Sequence, residues 1–155
     1  MDTKRVILIV EDSEDDITLL KAAIRRARVP NPIQVAPDGQ EAIDYLEGNG
    51  RYEDRLAFPF PGTIFLDLKL PKLNGFDVLQ WLKDHEECKV IPVMILTSSG
   101  IERDVTRAYQ MGANSYMVKP ASLQDLTELV DLAFRFWTMC EIPPLPKKCQ
   151  PVGAS

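Results

Sequence analysis

Short runs of apolar residues alternate along the chain with segments whose apolar positions recur every three or four residues. Arg5–Val10 lacks alternation, is rich in β-branched residues and ends at Glu11-Asp12, the mark of a strand buried on both faces. Thr63–Leu66, Pro92–Leu96 and Ser115–Val118 have the same character, and Ile33–Ala36 is a weaker fifth run. Between them, Ile17, Leu20, Ile24 and Ala27 share one helical face, with a capping-box pattern predicted from Ser13 and Asp16. Asp38 and Glu41 repeat that spacing before Ala42, Ile43 and Leu46, and Asn74-Gly75 precedes Phe76, Leu79 and Leu82. Ile101, Val105, Ala108 and Tyr109 form a stripe before Gly112. A last helix is predicted from Ser122, with Asp125 three places on and Leu123, Leu126, Leu129, Val130, Ala133, Phe134 and Trp137 following at helical spacing. Five strand–helix repeats imply an α/β fold, a doubly wound parallel sheet with helices on both faces. Ligands in such sheets bind at the carboxyl ends of the strands, near the point where strand order reverses.

Two segments exceed the repeat. Residues 48–62 are long for a helix–strand connection and hold Tyr52, Phe58 and Phe60. From Glu141 onward, Pro143, Pro144, Pro146 and Pro151 stop the last helix, so residues 1–140 are expected to form one domain and 141–155 a Pro-rich tail, with no separate output domain.

Composition narrows the function. The 155 residues carry a net charge of −5, which argues against nucleic-acid or membrane-surface binding. Val6–Val10 is too short to target or span a membrane, and Cys88, Cys140 and Cys149 lack metal-site spacing, so a cytoplasmic protein with reduced thiols is expected.

The chemistry falls where the topology directs. Glu11-Asp12 and Asp67 end neighbouring strands, bringing three carboxylates to one sheet edge. An acid at a strand end is, taken alone, usually a helix cap, but Ser13 already supplies one cap. Crowded carboxylates raise one another's pKa unless a hard cation intervenes, and Mg²⁺ prefers one or two carboxylates, waters and a phosphate oxygen. Thr97, ending the fourth strand, either caps the next helix or offers a hydroxyl to a phosphoryl group on Asp67. Lys119, fixed in extended backbone by Pro120, projects towards the acids.

These residues resemble the receiver domain of two-component response regulators, over roughly residues 4 to 137. Glu11-Asp12, Asp67, Thr97, Tyr116 and Lys119-Pro120 occur in the family's order, with intervals of 30 residues from Asp67 to Thr97 and 22 from Thr97 to Lys119. Leu70-Pro71-Lys72-Leu73-Asn74-Gly75 is similar to the family's loop after its phosphorylated aspartate. The resemblance implies a flavodoxin-like fold with strand order 2-1-3-4-5. It makes Asp67 the acceptor of a phosphoryl group from a histidine kinase, with Mg²⁺ (or Mn²⁺) held by Glu11, Asp12, Asp67 and the backbone carbonyl of Lys69. Thr97, Ser98, Lys119 and Pro120 would surround the phosphoryl group. Thr97 would move towards it and let Tyr116 turn inward, altering the surface of the fourth helix, fifth strand and fifth helix. Such a protein is a switch rather than an enzyme, with at most intrinsic self-phosphorylation and autodephosphorylation. Glu11 departs from the family's commoner aspartate, and Lys69 puts a charge beside the acceptor that is expected to lengthen the phosphorylated lifetime.

The segment 48–62 and the tail are similar to stand-alone receivers that work with phytochromes. A homodimer through the fourth helix, fifth strand, fifth helix and tail is therefore expected. Leu132 and Phe136, off the core stripe, support such a patch, although the tail's apolar residues can instead pack on their own domain.

Other readings fit less well. Aspartyl-phosphate phosphatases need a second acid where Lys69 stands, and a flavin-binding anion loop would be repelled by Glu11-Asp12. A receiver acting only as an interaction module would have no use for the acids, Thr97 and Lys119 together.

Overall fold

The computed structural model describes residues 4–146. Its strands are β1 (Val6–Val10), β2 (Ile33–Ala36), β3 (Pro61–Leu66), β4 (Val93–Thr97) and β5 (Ser115–Val118). Between and after them come α1 (Glu14–Arg26), α2 (Gly39–Glu47), α3 (Gly75–Asp84), α4 (Glu102–Gln110) and α5 (Leu123–Met139), with a 3-10 turn at Gly50–Tyr52. All pairings are parallel and the order is β2-β1-β3-β4-β5. The order reverses between β1 and β3, which therefore lie side by side.

Alternation along the central strands divides the core in two. Leu8, Val10, Ile64, Leu66, Val93 and Ile95 face α2, α3 and Ala108 of α4. Ile7, Ile9, Phe65, Met94 and Leu96 face α1 and α5, where Phe65 meets Phe134 and Trp137. Because both sides are covered, the periodicity of two vanishes from the sequence of β1, β3 and β4.

Several sequence expectations need correction. β5 lies at the sheet edge, as the expected strand order has it, but it is half-exposed and open at Val118 rather than buried on both faces. β3 begins two residues earlier than expected, at Pro61, where a strand start tolerates the missing N–H. Ser13 and Asp16 do not form a capping box. Ser13 Oγ accepts the Asp16 N–H, but the Ser13 N–H donates to Glu11 Oε1. The reciprocal box occurs instead at Asn74 and Asp77. The α4 stripe is also largely open: only Ala108 is buried, while Ile101 and Tyr109 are exposed.

Residues 48–62 pack rather than dangle. Tyr45, Tyr52 and Phe58 form an aromatic cluster with ring centroids 5.1 to 6.1 Å apart. Arg55 donates to the carbonyls of Tyr45 (2.7 Å), Leu46 (2.8 Å) and Phe58 (3.2 Å), satisfying the end of α2 that Gly48 closes at φ 76°. The tail folds back under the sheet. Arg5 donates to Pro143 O at 3.1 Å and Leu145 packs on the core. Cys88 is buried and Cys140 half-buried, neither in a disulfide, while Cys149 and Pro151 lie outside the described residues. No helix of the described chain is long and apolar enough to cross a membrane.

Candidate functional site

The site is assembled by backbone pairing that continues past the strand ends. Asp67 N–H donates to Val10 O at 3.0 Å, and Lys119 N–H to Thr97 O at 2.8 Å. Glu11, Asp67, Thr97 and Lys119 are thereby fixed at the carboxyl ends of β1, β3, β4 and β5. Carboxylate oxygens of Glu11, Asp12 and Asp67 lie within 4.8 Å of one another, with Glu11 and Asp67 buried and Asp12 open to solvent.

Among the described residues, one cation faces this cluster. Lys119 Nζ is 2.7 Å from Glu11 Oε2, 2.7 Å from Asp16 Oδ2 and 2.8 Å from Asp67 Oδ2. Burial alone would lower the pKa of the lysine, but Asp16, Asp67 and Glu11 together raise it, so Lys119 is firmly an ammonium. The acids split the burden unequally. Burial, aided by neighbouring Asp67, pushes Glu11 up to about 7 against the pull of Lys119. Burial acts on Asp67 too, yet hydrogen bonds from Lys119, Glu11 and the Lys69 N–H outweigh it and leave its pKa below the ordinary value. Of the two acids, Asp67 is therefore the one held ionised.

The loop after Asp67 is closely held. Lys69 N–H donates to Asp67 Oδ1 at 3.1 Å, while the Lys69 side chain is exposed. A Cβ on Gly75 would come within 2.4 Å of the Asp67 carbonyl oxygen, and one on Gly39 within 1.9 Å of the Leu73 carbonyl oxygen. Lys72, in the left-handed region at φ 62°, pairs with Asp38 at 3.4 Å. Only glycine at positions 39 and 75 lets α2 and α3 approach the loop after Asp67 this closely.

Thr97 is buried, and its hydroxyl makes no hydrogen bond. It lies close enough to favour the ionised form of Asp67, without forming a hydrogen bond of good geometry. It does not cap α4, whose N-cap position is held by Ile101 with no side-chain cap hydrogen bond. Ser98 is exposed, whereas Ser99 is buried and donates to Asp104 Oδ2 at 2.7 Å. The half-buried Tyr116 donates its hydroxyl to Ser99 O at 2.7 Å. Pro120 lines a narrow cleft with Glu11, Asp16 and Lys119.

The sequence reading gathered Glu11, Asp12, Asp67, Thr97 and Lys119 but missed Asp16, Ser99 and Gly75. The signal for Asp16 was hidden by its capping position, since its ionic partner stands 103 residues away. His85 is exposed and stacks on Trp81 at 3.8 Å, away from the site.

A parallel sheet of this order, with clustered acids at its switch point and a lysine after its last strand, defines a receiver domain. The family model for the response regulator receiver domain matches residues 7–131, and the chain belongs to that family. It is a response regulator of two-component signalling. Its relatives include response regulator Rcp1 of Synechocystis sp., 37% identical over 133 residues that cover 86% of this chain and 88% of Rcp1. Among solved structures, the phosphorylated cyanobacterial phytochrome response regulator RcpA superposes with a TM-score of 0.83 at 34% identity, covering 91% of this chain and 99% of RcpA. The Mn²⁺-bound form of Rcp1 gives 0.80 at 35% identity, covering 90% of this chain and 99% of that one. Receiver domains are phosphoacceptors that take Mg²⁺ or Mn²⁺ in an acidic pocket, and Glu11, Asp12 and Asp67 provide such a donor set of hard oxygens.

Proposed function

We propose that Asp67 is the phosphoacceptor, receiving its phosphoryl group from a histidine kinase in a Mg²⁺-dependent reaction. The observation that carries this reading is the Lys119 ammonium 2.8 Å from an ionised Asp67, beside two further acids suited to a cation. An Asp67 carboxylate oxygen attacks phosphorus in line, the new O–P bond forms as the kinase's N–P bond breaks, and the histidine nitrogen leaves with the electron pair. Glu11, Asp12, Asp67 and the carbonyl of Lys69 would hold the cation, which supplies positive charge to the transferring oxygens. Lys119 stabilises the same charge from the other side. The unpartnered Thr97 hydroxyl is the natural donor to a phosphoryl oxygen, with the exposed Ser98 at the rim and Pro120 fixing the lysine's approach.

The switch follows from the same geometry. A phosphoryl group adds about −1.5 to −2 charges where Glu11 and Asp67 already crowd. Movement of Thr97 towards it vacates space beside Tyr116, whose hydroxyl can leave Ser99 O and release the start of α4. With only Ala108 buried, α4 is held by few apolar contacts and is suited to shift. The output surface is α4, β5 and α5, where Leu132 and Phe136 are 65% and 66% exposed. This face would support a homodimer or a partner, while the described tail packs on its own domain instead. The likeness to phytochrome response regulators makes a phytochrome-type histidine kinase the preferred donor. The activity beyond this is at most self-phosphorylation and autodephosphorylation.

Intact-mass measurement with acetyl phosphate and Mg²⁺ tests the reading. A phosphate-sized gain is expected for the wild type and none for Asp67→Asn or with EDTA. A gain of equal size in Asp67→Asn would move the acceptor elsewhere.

A further inference from the structure

The ammonium of Lys119 has three N–H bonds, and three carboxylates lie within reach of them. Two of those partners change during the reaction proposed above. Asp67 becomes an acyl phosphate, and Glu11 belongs to the cluster suited to a cation. Asp16 does neither. It stands in the first turn of α1, outside that cluster, and its side chain is 37% exposed against 7% for the other two acids.

Its availability has a local cause. In a capping box the third helical residue turns back to the N-cap N–H. Here Glu11 Oε1 takes the Ser13 N–H at 3.1 Å, which releases the Asp16 carboxylate to cross to Lys119. The helix start keeps its cap through Ser13 Oγ at 3.3 Å, and the acid near the α1 N-terminus is additionally favoured by the helix dipole. One displaced hydrogen bond thus couples the β1–α1 loop to the lysine after β5.

We infer that Asp16 is a positioning residue: it is the fixed anchor that holds the Lys119 ammonium at the mouth of the site before and after Asp67 is phosphorylated. The inference rests on the reading of Asp67 as acceptor. A lysine side chain has four rotatable bonds and loses its place readily when unpaired. When Asp67 and Glu11 turn to the phosphoryl group and cation, Asp16 keeps Nζ on the phosphoryl side. The part it plays is distinct from metal binding and is separable by its readouts.

Asp16→Asn and Asp16→Glu are compared with wild type in Mg²⁺ affinity, in the rate of phosphorylation by acetyl phosphate, and in the ¹⁵N signal of the Lys119 ammonium. Asp16→Asn is expected to slow phosphorylation roughly tenfold, the scale of a slightly misplaced charged group, with Mg²⁺ affinity within about twofold of wild type because one exposed charge is lost. The Lys119 ammonium signal, sheltered from exchange in the wild type, is expected to broaden in Asp16→Asn. Asp16→Glu, which keeps the charge, is expected to restore both rate and signal. A wild-type rate in Asp16→Asn, a loss shared by Asp16→Glu, a large fall in Mg²⁺ affinity or an unchanged ammonium signal would each overturn the anchor. If wild type itself took no phosphoryl group, the acceptor reading would fail, and the ammonium signal alone would still decide whether Asp16 holds Lys119.

Discussion

The two ends of the sheet are built on opposite terms. At the carboxyl end, buried Glu11 and Asp67 share one lysine with Asp16, and the Thr97 hydroxyl lacks a hydrogen bond. At the base, the aromatic cluster around Tyr45, the Arg55 fork on three carbonyls and the folded-back tail satisfy what they bury. The contrast teaches where stability comes from and where it is withheld. Like charge and an unpartnered hydroxyl are gathered at the carboxyl end, while these groups at the base are packed and hydrogen-bonded.

The largest effect is expected from the core that joins the two ends. Phe65→Ala removes a ring packed on Phe134 and Trp137 and should destabilise the chain by about 4 kcal/mol. Denaturant melts would read this loss, and the surviving folded fraction should still be phosphorylated. Arg55→Ala strips donors from the Tyr45, Leu46 and Phe58 carbonyls and should cost about 2 kcal/mol by the same assay. Unchanged Mg²⁺ affinity is expected there, since the change is confined to the base.

At the site the sign reverses. Glu11 is pushed from 4.5 up to about 7 in the folded state, so folding binds its proton more tightly. Stability of the metal-free protein should therefore fall as pH rises through that interval. Glu11→Gln should flatten the dependence and raise metal-free stability at pH 8, by on the order of 1 kcal/mol. It should also weaken protection by Mg²⁺, as thermal melts with and without the cation would reveal. A destabilised Glu11→Gln at high pH would mean the crowding is not felt. The smallest effect on the monomer is expected for Phe136→Ser, within about 0.5 kcal/mol, because the ring is already exposed. If this face carries the proposed homodimer, the substitution is expected to abolish self-association, measured by analytical ultracentrifugation.

The same contrast explains what could be read in the sequence. The central strands declared themselves because burial on both faces leaves unbroken apolar runs, whereas the run of β5 suggested the same burial and the strand is half-exposed. Strand-end residues such as Asp67 and Lys119 were legible because the parallel fold sends every strand end to one place. Asp16 was not, because its cap position gave it a local explanation and its partner comes from β5. The order in residues 48–62 was equally hidden, since it depends on Arg55 finding carbonyls of α2 that only the folded chain presents.

The most direct test is to find where the phosphoryl group goes. The wild-type protein, treated with acetyl phosphate and Mg²⁺, would be reduced with borohydride, which converts an acyl phosphate on aspartate to homoserine, and then mapped by peptide mass spectrometry. Homoserine at position 67, absent when EDTA replaces Mg²⁺, is the predicted result. Homoserine at Asp12 or Asp16 with Asp67 intact would contradict the account.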